Sequence, residues 1–213
     1  METPLTPERF AEIADVSRET LDRLRLYAAL LEKWQRTVNL VSRSTLVDPW
    51  RRHFLDSAQL LPLLPAGLPT ITDVGSGAGF PGLVLAILSG LPTELVESDA
   101  RKGAFLRETA RVTEAPVTVT TARIESVAAA CENKSVDILT ARALAPLETL
   151  CEMAVSLRAK TCVFLKGAHW QDELTAARKS WTMQIETFAS LTSPEGCVLR
   201  IGDIVKADAA EPV

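Results

Sequence analysis

The chain has no long hydrophobic run. Its most apolar stretch, Gly82 to Leu91, is broken by Ser89 and Gly90, whereas a membrane-spanning helix needs about 20 predominantly apolar residues. No helical membrane span is expected. The N-terminus also lacks the basic start and apolar block of a secretory signal and carries Glu2, Glu8, Glu12 and Asp15 instead. The cytoplasm is the expected compartment. Paired cysteines are missing too: Cys131, Cys151, Cys162 and Cys197 form no CxxC and no Cys/His cluster of zinc spacing, so separate buried thiols and no metal site are expected. Nor is there an excess of positive charge. Lys and Arg number 23 against 27 Asp and Glu, a net charge of -4 and a pI near 5.3, which argues against indiscriminate nucleic-acid binding. Any RNA contact must use a local patch. Repeats of 20 to 50 residues and low-complexity tracts are absent as well, which excludes solenoids and arrays.

What is present is an ordinary globular composition, 213 residues with 47% hydrophobic and 23% charged, enough for one domain with a full core. Leu21, Leu24, Ala28, Leu31, Trp34 and Val38 recur at spacings of three and four and predict a long amphipathic helix. A second helix is expected from about Pro49 to Leu61, and the prolines and glycine of 62–69 read as a hinge or boundary loop. Beyond it the pattern alternates. Strands are predicted at Thr70–Val74, Thr93–Glu97, Val117–Thr121, Val136–Thr140 and Thr161–Lys166, with helices at Phe80–Leu88, Arg101–Glu114, Ile124–Cys131 and Leu147–Leu157. A helix at Gln171–Ser180 and a closing antiparallel hairpin, Gln184–Ala189 with Cys197–Ile201, complete the set. Strands separated by helices of this length imply right-handed crossovers. The expected fold is α/β, a doubly wound, mostly parallel seven-stranded sheet. Residues 1–69 are expected as an N-terminal helical extension packed on the core, 70–205 as the core, and 206–213 as a flexible tail.

The first βα turn reads Asp73-Val74-Gly75-Ser76-Gly77-Ala78-Gly79-Phe80-Pro81-Gly82. Alternate glycines permit a tight exit from the strand and a ligand against bare backbone, beside the amides that open the next helix. Glu97, eighteen residues beyond Gly79, ends the second strand, where a carboxylate can accept from a ribose diol. The spacing G-x-G-x-G after an acid favours S-adenosyl-L-methionine (AdoMet) over a dinucleotide. AdoMet has no pyrophosphate to cradle, and its cationic sulfonium and ammonium suit an acid such as Asp73.

Seven segments carry a family resemblance: Trp34 with Asn39-Leu40, Arg52-His53-Phe54-Leu55-Asp56-Ser57, the glycine turn with its FPG extension, Arg101-Lys102 with Phe105-Leu106, Arg123-Ile124-Glu125, Ala141-Arg142-Ala143-Leu144-Ala145, and Leu165-Lys166-Gly167. In order and spacing the chain resembles the RsmG/GidB family of small-subunit ribosomal RNA guanine-7 methyltransferases. It departs at Val84 and at Gly196-Cys197, where a proline and a basic pair are expected. The resemblance implies a class I, Rossmann-like AdoMet-dependent methyltransferase of bacterial type, monomeric, acting on 16S ribosomal RNA or the small ribosomal subunit. It also implies that Gly75 and Phe80 contact AdoMet, that Ile124 and Glu125 flank its adenine, and that Arg142 completes the pocket. An arginine fork at the carboxyl edge of the fourth strand suits a methionine carboxylate or an RNA phosphate, though a surface salt bridge is the plainer reading.

His53, Asp56 and Ser57 share a helix face at i, i+3 and i+4. A hydrolytic triad needs groups that converge from different directions, so these three read instead as a polar network tying the N-terminal helices to the crevice, or as a satisfied structural histidine. Lys33, Arg36, Arg43, Arg51 and Arg52 stand against Asp48 alone as an RNA-binding face or a solvated one. Lys166 meets phosphate or caps the sheet edge. Guanine N7 has a lone pair and no hydrogen, so positioning by Arg142 is expected and a general base is not. Two other readings stand beside this one: a methyltransferase for another substrate, and a non-catalytic ribosome assembly factor that retains AdoMet.

Overall fold

The computed structural model describes residues 3–67, 69–130 and 135–207. Cys131 and residues 208–213 of the expected tail lie outside them. The chain opens with α1, Pro7–Ala14, where Thr6 accepts from the Arg9 amide and proline occupies the first turn. Sequence periodicity alone misses this short helix, although threonine before proline is a helix-start signal. The long helix α2, Arg18–Gln35, is capped by Ser17. It ends before the expected stripe does, and Val38 is buried from the loop beyond. Around the second expected helix, Trp50–Leu55 is a π-helical turn that runs into one α turn, α3, Asp56–Ala58. Part of the expected 62–69 loop is a 3₁₀ turn, Leu61–Leu63.

Seven strands form one sheet in the order β3-β2-β1-β4-β5-β7-β6. They are β1 Ile71–Val74, β2 Thr93–Val96, β3 Val117–Thr120, β4 Ile138–Arg142, β5 Thr161–Lys166, β6 Trp181–Ala189 and β7 Cys197–Lys206. The first five pair in parallel, and β7 joins β5 and β6 antiparallel. The order reverses at β1 and β4, and ligands of open α/β sheets bind in the crevice at the carboxyl ends of such a pair. The helices between and after the strands are α4 Gly82–Ser89, α5 Ala100–Val112, α6 Ile124–Ala130, α7 Leu147–Ser156 and α8 Trp170–Ala177.

Every residue of β1 is buried, as befits a central strand covered on both faces. Helix α4 is buried from Gly82 through Ile87, so it lacks a polar side. Phe10, Tyr27, Phe54, Phe80 and Phe105 share one apolar cluster. The N-terminal helices and the sheet domain therefore bury a common core beneath the glycine turn. Among the boundaries that differ from the sequence expectation, β6 starts at Trp181 rather than Gln184. Arg142 is the last residue of β4 rather than a residue past it, α4 starts at Gly82 rather than Phe80, and β7 continues to Lys206. Among the described residues no helix is long and apolar enough to cross a membrane.

Candidate active site

After β1 the chain turns through three glycines of positive φ, Gly75 at 64°, Gly77 at 56° and Gly79 at 91°. Their bare faces meet different surroundings. A Cβ on Gly75 would strike the Leu144 side chain, and one on Gly79 would lie 2.6 Å from the Tyr27 hydroxyl and 3.1 Å from Leu106. Those two glycines let the turn pack on its neighbours. A Cβ on Gly77 would meet no atom closer than the Gly75 carbonyl at 3.7 Å, so this face opens on space. The turn is held from both sides. The Gly77 amide donates to Glu97 at 2.8 Å, Asp99 N donates to the other Glu97 oxygen at 2.7 Å, and the Tyr27 hydroxyl donates to the Ala78 carbonyl from below. Glu97 thus braces the turn with one oxygen and holds its own chain at Asp99 with the other, and each keeps a second lone pair for a ribose hydroxyl.

Asp73 lies under the turn rather than on the cleft wall. It is fully buried; Oδ1 accepts from Thr140 at 2.7 Å, while Oδ2 has no hydrogen-bond partner. Burial, offset in part by the Thr140 hydrogen bond, raises its pKa from the ordinary 3.8 to about 6. Between those two values the folded protein holds a proton that the unfolded chain has released, so stability is lost as pH rises through 6. Asp73→Asn keeps an oxygen for Thr140 and cannot ionise. The variant is expected to gain on the wild type as pH rises from 4 to 7, read from denaturant midpoints. Parallel curves would show that ionisation of Asp73 is not opposed by its site.

At the end of β4, Arg142 reaches across to the π-helical turn and α3. Its Nη1 donates to Asp56 Oδ2 at 3.1 Å and to the Arg52 carbonyl at 3.0 Å, and its Nη2 donates to His53 Nδ1 at 3.0 Å. The guanidinium also sits 5.0 Å over the Phe80 ring, whose faces stack on Tyr27 and His53. Because arginine only donates, His53 Nδ1 is the acceptor. The ring proton is therefore assigned to Nε2, which donates to Thr45 at 2.8 Å. Burial first, then the charges of Arg142 and Arg52, push the His53 pKa down to about 3, and the ring is neutral at physiological pH. Ser57 stands apart and donates to the His53 carbonyl. The network expected of the HxxDS segment is present, with Arg142 at its centre, and the arginine is no surface salt bridge: the Arg142 and Asp56 side chains are each 17% exposed.

Gly75, Ser76, Gly77, Ala78 and Phe80 form one wall of a cleft of about 840 Å³. Arg142, Leu144, Arg52 and Lys102 line it too, as do Thr192 and Ser193 from the β6–β7 connection. A ligand laid on Gly77 would lie against bare backbone with the fork of Arg142 on the cleft wall, while the Glu97 carboxylate, 7% exposed and not a lining residue, stands behind the Gly77 amide. That donor set suits AdoMet, with carboxylate lone pairs for ribose hydroxyls and a guanidinium for a carboxylate.

Residues 20–196 match the family described as rRNA small subunit methyltransferase G, GidB. A relative from Rhodospirillum rubrum, ribosomal RNA small subunit methyltransferase G, is 54% identical over 95% of this chain and 100% of its own length. The protein of the same description from Rhodospirillum centenum is 55% identical over 89% of this chain and 87% of its own. The chain belongs to the rRNA small subunit methyltransferase G family. Among solved structures, a Bacillus cereus O-methyltransferase in complex with SAH aligns with a TM-score of 0.53 at 13% identity, covering 93% of this chain and 100% of that one. A mutant of MtNAS in complex with S-adenosylmethionine gives 0.56 at 15%, covering 93% and 84%. These two likenesses concern the fold, which is that of class I methyltransferases.

Other residues singled out in this family member's sequence fall in several places. Ile124 and Glu125 open α6 beyond β3, Ile124 half-buried against the core and Glu125 exposed; neither lines the cleft. Lys166 does line it, but its ammonium is 2.5 Å from Glu173 and donates to the Ala145 carbonyl, with 7% of the side chain exposed. Its ammonium is thus committed to those two oxygens, as the sheet-edge reading of Lys166 expects. Arg51 is likewise engaged, with Asp48 at 2.9 Å and the Thr3 carbonyl. Lys33, Arg36 and Arg43 are exposed and off the cleft, and Arg36 pairs loosely with Glu32 at 3.8 Å. Of the expected basic face, only Arg52 lines the cleft. Lys102 is a cation that charge counting misses. Asp99 caps α5 through the Arg101 and Lys102 amides, which sets Lys102 in the first helical turn, at the carboxyl edge of β2. Among the described residues no cluster of metal-ligating side chains occurs.

Proposed function

We propose that this chain transfers the methyl group of AdoMet to ring nitrogen 7 of a guanine in 16S ribosomal RNA. The observation that carries the proposal is the open face of Gly77, in a cleft shared with the Arg142 fork, in a member of the rRNA small subunit methyltransferase G family. Bound AdoMet supplies an electrophilic methyl group on a cationic sulfur. Gly77 and Ser76 would lie beneath the cofactor, Glu97 would accept from its ribose, and Arg142 would meet its carboxylate or orient the incoming base. Guanine N7 presents an in-plane lone pair and no proton, so the reaction needs alignment rather than a base, and alignment can be worth about 7 to 11 kcal/mol. His53 fits that requirement. Its Nδ1 is occupied by Arg142 and its pKa is far below neutrality, so it holds orientation and accepts no proton.

Labelled methyl from AdoMet should enter 16S RNA, as naked RNA or in small subunits, and not small-molecule pools. Label in another substrate would make this a methyltransferase of different specificity. Subunit binding without transfer would make it an assembly factor. Arg52 and Lys102, at the cleft, are the cations placed to meet RNA phosphate. Arg52→Ala should flatten the slope of log affinity against log salt by about 0.7, the value for one single-strand phosphate contact. Arg51→Ala, whose side chain is tied to Asp48, should leave the slope unchanged. Equal slopes for wild type and Arg52→Ala would show that Arg52 is only solvated.

A further inference from the structure

The connection between β6 and β7, residues 190–196, is pinned to the cleft by side chains far away in sequence. Gln59 is 7% exposed and uses its whole amide. Nε2 donates to the Asp56 carbonyl at 2.9 Å and to Asp56 Oδ1 at 3.0 Å, and Oε1 accepts from the Leu191 amide at 2.8 Å. Asp56 Oδ1 also accepts from the Thr192 hydroxyl, while its other oxygen belongs to Arg142. The connection closes on itself through Ser190 N to the Gly196 carbonyl at 3.2 Å and Gly196 N to the Ser193 carbonyl at 3.0 Å. One carboxylate therefore links the fork at the end of β4 to the tip of the hairpin.

Ser190, Thr192 and Ser193 line the cleft, and Leu191 between them is 65% exposed. An exposed leucine is by itself ordinary. This one is at the rim of the cleft, on a segment whose Leu191 amide is held by the buried Gln59 side chain and whose Thr192 hydroxyl is held by the half-buried Asp56 carboxylate. The segment Ser190-Leu191-Thr192-Ser193-Pro194-Glu195-Gly196 contains no Lys or Arg. It has no cation with which to neutralise a phosphate, and its one exposed aliphatic side chain suits a base instead.

The chemistry asks for such an element. In helical RNA the N7 edge lies in a deep, narrow groove that side chains cannot enter. A guanine that presents N7 to a methyl group held over Gly77 must leave its stack and enter the cleft, and apolar wedges are a common means of opening a stack. We propose that Leu191 is the wedge that enters the RNA stack beside the target guanine, with Gln59 and Asp56 as the positioning residues that hold it at the rim. This inference rests on RNA being the substrate.

The test uses the full-length protein with small subunits that lack the methyl group, and measures kcat, KM and AdoMet affinity. Leu191→Ala trims a side chain that is 65% exposed, so its melting temperature and AdoMet Kd should stay close to wild type while kcat/KM for the subunit falls about fivefold. Leu191→Met, still apolar and long, should restore at least half of the wild-type value. Gln59→Leu should show the same defect, and adding Leu191→Ala to it should cause little further loss. Wild-type kcat/KM in Leu191→Ala overturns the wedge. So does a loss in Leu191→Met equal to that in Leu191→Ala, or a parallel fall in AdoMet affinity. A wild-type protein that methylates no ribosomal RNA overturns the function reading itself, an outcome visible before any variant is made.

Discussion

Gly77→Ala is expected to fold and to lose AdoMet binding by at least a hundredfold, about 2.7 kcal/mol. The added methyl group clashes with no protein atom, since its nearest neighbour would be 3.7 Å away. Its cost to the fold is that of a non-glycine residue at φ 56°, roughly 1 to 2 kcal/mol, within what a domain of this size tolerates. In the proposed function the same methyl group stands where the cofactor would approach. Gly79→Ala provides the contrast, because its Cβ would press on Tyr27, Leu83 and Leu106 and the damage should appear in the melting temperature. Calorimetry showing unchanged affinity in folded Gly77→Ala would remove the cofactor from this turn.

Arg142→Lys should reduce turnover tenfold or more, about 1.4 kcal/mol in the barrier. Lysine keeps the charge but is a single ammonium on a flexible stem. Its donors radiate from one nitrogen, whereas the guanidinium spreads its bonds to Asp56, the Arg52 carbonyl and His53 over two nitrogens while lying over Phe80. Retained charge should limit the loss of stability, whereas deleting one partner of a mostly buried pair costs about 3 to 5 kcal/mol. The effect should not depend on protonation of His53, whose pKa burial and the charges of Arg142 and Arg52 hold down at about 3. Reduced AdoMet affinity would assign Arg142 to the cofactor, and normal affinity with slow turnover would assign it to the RNA. Normal values of both would leave Arg142 a purely structural brace.

The βα alternation made β1 to β5 and their helices readable, because buried parallel strands and amphipathic crossovers leave distinct periodicities. Ends were harder. Val136 is β-branched but lies before β4, where its amide bonds to the Leu157 carbonyl, and only pairing with β5, Arg142 opposite Leu165, decides that β4 runs on to Arg142. Gly202 and Asp203 look like a stop but continue β7, with Asp203 at φ 49°. At the site, the glycine turn and the HxxDS segment were legible as local patterns. What they touch was not. Nothing near Glu97 in sequence announces that it accepts from the Gly77 amide twenty residues away, and nothing near Lys166 announces Glu173 as its partner. Tyr27, beneath the turn, and Gln59, behind Leu191, look like ordinary helix residues until the chain closes.

The central claim is most directly tested by incubating the protein with AdoMet and small ribosomal subunits that lack the modification, then cleaving the 16S RNA chemically at 7-methylguanine. The account predicts one new cleavage site that requires both protein and AdoMet and disappears with Gly77→Ala. Methyl incorporation at any other atom, or none in 16S RNA, would contradict it.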